Sequence, residues 1–253
     1  MDMICKKLRL KAGESMLDVG CGWGALACFA AKNYGVKVHG VTLSEKQYEY
    51  AIEKVKKLGL EKQVKIELKN FYSLNPSSDD ALYDKISSIG MYEHVGIANY
   101  PKYFSKLHSL LRDKGILLNH GITRRAKRSK KQFNKISRGN RMILKYIFPG
   151  SELDHIGHTL ESMESCKFEI SDVESWRLHY ARTCKLWCER LSENKEKAIE
   201  LVGEERYRMW LLYLASVSLG FKDGNLRLYQ VVASKINKKG EIEVPQTRAD
   251  LYQ

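Results

Sequence analysis

Proline is scarce: four in 253 residues leave few natural breaks, so the chain reads as one sizeable core with an elaboration. Long apolar runs are missing as well. The longest mostly apolar stretch, Met209 to Phe221, is interrupted by Ser216, Ser218 and Gly220, and falls short of the roughly 20 residues that a spanning helix needs. The opening residues, Met1-Asp2-Met3-Ile4-Cys5-Lys6-Lys7, lack the apolar centre of a secretory signal, and the expectation is a soluble intracellular protein. No Cys-x-x-Cys pair occurs among the six cysteines. Cys184 and Cys188 lie one helical turn apart, but no histidine or second pair completes a metal site, so they read as small packing residues and no metal is expected. Acidic residues are outnumbered, 30 Asp and Glu against 43 Lys and Arg, and the net charge of +13 favours a polyanion or an anionic lipid surface.

What is present is organised around Leu17-Asp18-Val19-Gly20-Cys21-Gly22-Trp23-Gly24. The run Ser15 to Val19 reads as a short buried strand, and Ala25 to Ala31 as a helix. Strand, glycine turn and helix begin a nucleotide-binding βαβ unit, in which backbone N–H groups approach a ligand at a helix N-terminus. The spacing is G-x-G-x-G rather than the G-x-G-x-x-G of a dinucleotide fold, and no Lys-Ser/Thr of a phosphate loop follows. With Asp18 ahead of it, the turn resembles that of class I S-adenosylmethionine (SAM) methyltransferases.

Strand and helix patterns then alternate. Residues 2–12 read as an amphipathic helix, Val36 to Val41 as a strand, and Ser44 with Gln47 as a capping box opening a helix closed at Gly59. Strands are predicted at Val64 to Leu68, Leu82 to Ile89 and Ile116 to His120, with a polar loop at Asn75 to Asp80 and a helix carrying Tyr100, Phe104, Leu107 and Leu111 that closes at Asp113-Lys114-Gly115. This rhythm predicts an α/β fold with a doubly wound, mostly parallel sheet. Further on, Phe168 to Val173 reads as a strand, 178–191 as a helix, the stripe Tyr207, Trp210, Leu211, Leu214, Val217 and Phe221 as helical core, and Leu226 to Ala233 as a last strand. The polar tail from Asn237 is expected to fray.

Thr123 to Lys145 breaks the rhythm with Arg124, Arg125, Lys127, Arg128, Lys130, Lys131, Lys135, Arg138, Arg141 and Lys145, and almost no acidic partner. A charge run of this kind is ordinarily a solvated face. Here Phe133, Ile136, Met142, Ile143, Leu144, Tyr146, Ile147 and Phe148 interleave, which suits a segment lying on anionic lipid better than one binding RNA.

Ligands of a doubly wound sheet bind at the carboxyl ends of its strands. Glu93 follows the fourth strand and His120 ends the fifth. Neighbouring strands lie about 4.8 Å apart, so both side chains can open onto one pocket beside the glycine turn, to hold a proton acceptor or to act as acid and base. The plainer readings are a helix cap or ribose contact for Glu93 and a satisfied core histidine for His120.

Leu17 to Gly24, Gly40-Val-Thr-Leu-Ser-Glu-Lys-Gln47, Ser88-Ile-Gly-Met-Tyr-Glu-His-Val-Gly96, Asn99-Tyr100, His120-Gly-Ile122, Tyr146-Ile-Phe-Pro-Gly150, His179-Tyr180 and Tyr229-Gln-Val-Val232 together resemble the cyclopropane fatty acid synthase family, which includes the mycolic acid methyltransferases. The resemblance runs from residue 3 to about 234. It implies a seven-stranded sheet of the class I SAM methyltransferase type with a helical lid: a SAM-binding core at 1–122, a basic, helical substrate-covering region at 123–222, a final strand at 223–236 and a tail at 237–253. The implied reaction transfers the methyl of SAM to a cis double bond of a phospholipid acyl chain; a carbocation forms, a proton leaves the added methyl, and the ring closes. A bound bicarbonate takes that proton, held by Glu93, His120, the carbonyl of Ile122 and Tyr180. SAM is expected over Asp18 and Gly20, Cys21, Gly22, Trp23 and Gly24, with Thr42, Leu43 and Gln47 near ribose and adenine and Phe71 and Tyr72 beside the adenine. A SAM sulfonium is a strong electrophile, so such an enzyme need only orient the alkene and shield the cation. Tyrosine and tryptophan suit a cationic intermediate.

The sequence departs from the family's pattern at three places. A Tyr-Ser-Cys-Ala-Tyr-like motif before the first strand, whose cysteine joins the bicarbonate site, has no counterpart between Met1 and Leu17, and the expectation is a mis-assigned start, a truncated gene or a chain inactive alone. A cysteine of the penultimate helix falls on Val217, and an acidic residue after the third strand on Asn70. The favoured reading is a SAM-dependent enzyme acting at the inner face of the membrane, cytoplasmic and peripheral, with an unsaturated phospholipid as partner and a homodimer as a possible assembly. Its alternatives are a class I methyltransferase for a soluble small molecule and a truncated, inactive SAM- or lipid-surface-binding protein; an RNA methyltransferase leaves Glu93, His120 and Tyr180 without a role.

Overall fold

The computed structural model describes residues 1–75, 82–133 and 138–252. The strands are β1 (Ser15–Val19), β2 (Lys37–Thr42), β3 (Val64–Leu68), β4 (Tyr83–Ile89), β5 (Leu111–Arg124), β6 (Phe168–Ser175) and β7 (Leu226–Lys235). They form one sheet in the order β3-β2-β1-β4-β5-β7-β6. Pairing is parallel from β3 to β5, with Val19 opposite Val41 and Ser88, and Ile89 opposite His120. The order reverses direction between β1 and β4, the switch point at which a doubly wound sheet binds its ligand.

The helices are α1 (Asp2–Lys7), α2 (Ala25–Tyr34), α3 (Glu45–Lys57), α4 (Tyr100–Leu110), α5 (Lys130–Phe133), α6 (Arg138–Tyr146), α7 (Ile156–Ser165), α8 (Arg177–Glu193), α9 (Lys195–Val202) and α10 (Glu204–Lys222). One compact unit comprises Met1–Gly121, Gly157–Val173 and Gln230–Gln253; the other comprises Ile122–Ile156 and Glu174–Tyr229.

In the first unit, α2 buries Leu26, Ala27, Cys28, Ala30 and Ala31, small side chains that let it press onto Met16, Val38, Ile66 and Leu118 of the sheet. On α4 the buried Tyr100, Tyr103, Phe104, Leu107 and Leu110 recur at the three- and four-residue steps of one helix face. α3 ends as the sequence predicts: Gly59 takes φ +65°, its N–H donates to Lys56 O and that of Leu60 to Val55 O, a Schellman closure. In the second unit, α8 packs against α10, and Ala181, Cys184, Val217, Phe221 and Leu228 form its apolar cluster.

Three expectations are corrected. The first helix stops at Lys7, because Arg9 takes φ +51°, outside the helical region. β5 is longer than Ile116 to His120; Lys114 at φ +63° bends the chain within it, and the strand continues on both sides. The tail is docked rather than frayed. Leu251 is buried, Val244 packs on the main cluster, Arg9 pairs with Asp250 at 2.9 Å, Arg112 with Glu243 at 3.2 Å and Lys114 with Glu241 at 2.6 Å. Of the expected polar loop, residues 76–80 lie outside the described residues, as do Lys135 and Ile136 of the basic segment. Among the described residues, no helix is long and apolar enough to cross a membrane.

Candidate active site

The turn after β1 follows the sequence. Gly20 and Gly22 take φ +73° and +55°, and a Cβ on Gly22 would meet no atom within 4 Å, so this side of the turn is open to a ligand. The N–H groups of Gly20 and Cys21 do not face that space: both donate to Val41 O at 3.0 Å and tie the turn to β2. Cys21 is buried, and burial with help from Asp18 pushes its thiol up to about 12, so it stays protonated. Trp23 is exposed and sets its ring edge-on to Tyr50 at 5.3 Å. Asp18 is buried behind the turn. It accepts a hydrogen bond from Ser87 Oγ at 2.6 Å, and burial lifts its carboxyl from 3.8 to about 6 despite that bond.

At the end of β2 the predicted capping box closes in another way. Ser44 Oγ accepts from the Gln47 N–H at 3.4 Å, as expected. The return arm runs through Thr42, whose hydroxyl accepts from the Ser44 N–H at 3.2 Å and donates to Gln47 Oε1 at 2.9 Å. Thr42 and Gln47 are thereby locked together, while Leu43 is 68% exposed and open to contact. Past β3, Asn70 caps a single 3-10 turn by accepting from the Tyr72 N–H at 3.0 Å. That turn brings Phe71 and Tyr72 together with ring centres 4.1 Å apart and planes tilted by 34°, and Phe71 is fixed edge-on to Tyr103 at 5.6 Å.

Glu93 and His120 stand at the carboxyl ends of adjoining strands. The Gly90 N–H donates to His120 O at 2.8 Å, and a 3-10 turn over Tyr92–His94 follows and buries Glu93. Gly121, between His120 and Ile122, has no room for a side chain: a Cβ there would lie 1.8 Å from Cε1 of the buried Tyr92. His120 is kept neutral, drawn down from 6.5 to about 4 by burial and then by the Lys7 cation. Its Nδ1 lies 3.1 Å from Nε2 of Gln230, a buried residue of β7 that lies within the Tyr229-Gln-Val-Val232 match but to which the sequence assigns no role in the site. The available signal was a long polar side chain between the apolar Leu228 and Val231.

Ile122 and Tyr180 belong to the second unit, where both pack against its apolar cluster, with Tyr180 edge-on to Phe221 at 5.2 Å and to Trp187 at 6.0 Å. Within the basic segment, Arg124 is not a free surface charge. Its Nε donates to Leu153 O at 2.8 Å and its guanidinium lies 3.6 Å from the ring centre of Phe133. Arg141, Lys145 and Tyr146 of α6 are exposed.

A family model described as mycolic acid cyclopropane synthetase matches residues 1–231. A probable fatty acid methyltransferase of Pseudomonas putida is 41% identical over 252 residues, covering 99% of this chain and 62% of that protein. The cyclopropane-fatty-acyl-phospholipid synthase of Escherichia coli (strain K12) is 36% identical over 235 residues, 93% of this chain and 57% of that protein. The chain thus spans little more than half the length of the curated relatives it matches. Among solved structures, mycolic acid cyclopropane synthase CmaA1 complexed with SAH and CTAB aligns over 92% of this chain and 82% of its own, with 33% identity and a TM-score of 0.83. The chain belongs to the mycolic acid cyclopropane synthetase family, SAM-dependent methyltransferases of the class I fold.

Proposed function

We propose that this chain transfers a methyl group from SAM to a cis double bond of an unsaturated acyl chain in a membrane phospholipid. The observation that carries the reading is the placement of a buried glutamate, Glu93, just past β4 and of a neutral imidazole, His120, at the matching position of the neighbouring β5. Methylating an alkene leaves a proton to be removed where water would quench a cation, and a buried carboxylate with a neutral imidazole suits that task.

SAM, when bound, supplies an electrophilic methyl group. The residues present fit it: the open face of Gly22, the buried Asp18 carboxyl, the locked Thr42–Gln47 pair with exposed Leu43, and the tilted Phe71–Tyr72 ring pair. Gly20 to Gly24 and Asp18 would hold its amino-acid part, and Thr42, Leu43, Gln47, Phe71 and Tyr72 its ribose and adenine. Glu93 and His120 also suit a small oxyanion, since a neutral imidazole can donate to one oxygen and a carboxylate accept from another. Bicarbonate held there would supply a proton acceptor. The net charge of +13 and the exposed Arg141, Lys145 and Tyr146 support docking on an anionic surface.

The lipid substrate is supported by the name of the Escherichia coli relative. The Pseudomonas putida relative is named a probable fatty acid methyltransferase, which leaves room for a second outcome of the same transfer: the cation loses a proton from a neighbouring chain carbon, and a methyl branch beside a restored double bond results without ring closure. Incubating the chain with methyl-labelled SAM and vesicles of unsaturated anionic phospholipid tests both. Label in the acyl chains is expected, and mass spectrometry of the released fatty acids separates ring from branch. Bound SAM with unlabelled lipid overturns the reading for this chain.

A further inference from the structure

The amide of Gln230 is out of place by packing alone. It lies 3% exposed on β7, beside Leu228, Val231, Val232 and Ala233, all buried, and its Oε1 accepts no hydrogen bond among the described residues. A buried acceptor left in this state is unfavourable, and leucine or methionine would fill the position without it. Among the described residues the side chain makes one polar contact, from Nε2 to Nδ1 of His120 at 3.1 Å. Set with its nitrogen toward the ring, the amide donates and Nδ1 accepts. An uncharged imidazole carries a single proton, which then sits on Nε2.

We propose that Gln230 is a positioning residue for His120, holding its imidazole in the Nε2–H tautomer so that the ring offers the site a hydrogen-bond donor and not a base. The charged groups set around the ring are consistent with this. The buried Lys7 ammonium of α1, which lies 3.9 Å from Asp172, opposes protonation to the imidazolium, and Glu93 follows the adjoining strand. The catalytic consequence rests on the methyl-transfer reading. With its proton on Nε2, His120 donates to an oxyanion or carboxylate, and the proton released in the reaction passes to that acceptor or to Glu93 rather than to His120. This decides between the two roles that the sequence leaves open for the histidine.

The test uses histidine-labelled chain and long-range proton–nitrogen correlations, with the His120 resonances identified by their loss in His120→Asn. At neutral pH the unaltered chain is expected to show Nδ1 bare and Nε2 protonated; a proton on Nδ1 overturns the proposal. In Gln230→Met, similar in length and without a donor, the ring is expected to populate both tautomers. In Gln230→Glu the carboxylate is expected to draw the proton to Nδ1 and to raise the pH at which the ring charges. Turnover on vesicles should fall ten- to a hundred-fold in Gln230→Met, the scale seen when a residue orienting a ligating histidine is removed, with SAM affinity unchanged. An unaltered tautomer and rate in Gln230→Met would sink the idea. If the unaltered chain methylates no lipid, the methyl-transfer reading fails while the tautomer still decides the role of Gln230. If Gln230→Met does not fold, the spectra of the unaltered chain and Gln230→Glu decide it.

Discussion

Asp18 and His120 pull the stability of the chain in opposite directions over the same range of pH. Burial lifts the Asp18 carboxyl from 3.8 to about 6, and burial with Lys7 lowers the His120 imidazole from 6.5 to about 4. A carboxyl that holds its proton more tightly when folded adds stability at low pH, and that contribution is lost as pH rises through about 6. An imidazole that holds its proton less tightly when folded contributes fully above its unfolded value and loses that contribution as pH falls toward about 4. Binding polynomials with these values give a loss of roughly 2 kcal/mol for Asp18 and a gain of roughly 3 kcal/mol for His120 on going from pH 4 to pH 7. The two nearly cancel, leaving a net change of about 0.5 kcal/mol. Removing either unmasks the other. Asp18→Asn should gain roughly 3 kcal/mol between pH 4 and pH 7 from the uncovered histidine, and His120→Gln should lose roughly 2 kcal/mol. Carboxylates held low by their partners, such as Asp84 beside Ser15 and Arg112, add a rise common to all three proteins that drops out of differences between them. Urea unfolding midpoints across this range, at fixed salt and without SAM, read the result. Parallel curves for the parent and both variants would refute the assignment of buried, oppositely shifted groups to this site.

Gly22→Ala should cost only about 1–2 kcal/mol through its positive φ, because no atom opposes the methyl, yet calorimetry should show SAM affinity falling by well over tenfold. Gly121→Ala should do the reverse, lowering the melting temperature most, since the methyl overlaps the buried Tyr92 ring next to Glu93; overpacking of this kind costs about 1–3 kcal/mol or more. Leu251→Ala should lower stability by about 2–3 kcal/mol in urea titrations, whereas a frayed tail would leave it unchanged. Association with anionic vesicles in flotation assays should weaken steeply with added salt, as expected if the excess of Lys and Arg holds the chain to the surface.

Much of the sheet, and helices α2 and α3, are legible because their signals are local. β1 and β3 run as read from the sequence, Ser15–Val19 and Val64–Leu68, and Ser44 and Gly59 mark the ends of α3 by side-chain and backbone chemistry confined to a few residues. β5 was read short because Asp113-Lys114-Gly115 has the composition of a closing turn, yet Lys114 alone bends the backbone and the ladder resumes. The tail was misread for a different reason. Its polar composition matches a frayed end, and what docks it are partners at the far end of the sequence: Arg9 for Asp250, and Arg112 for Glu243. Composition in a window cannot register an ion pair whose other half lies outside it.

Gln230 shows where the limit falls within the site itself. Glu93 and His120 could be placed from strand order alone, since alternating strands and helices put both at carboxyl ends. The partner of His120 could not, because β7, last in the sequence, enters the sheet between β5 and β6, and nothing in its residues announces that insertion. Once β7 lies beside β5, a glutamine at position 230 reaches the imidazole. The amide's chemistry then sets which ring nitrogen carries the proton. The positions of Glu93 and His120 at the strand ends were thus readable from the chain's first half, and the residue beside the imidazole was not. It arrives through topology, from more than a hundred positions away.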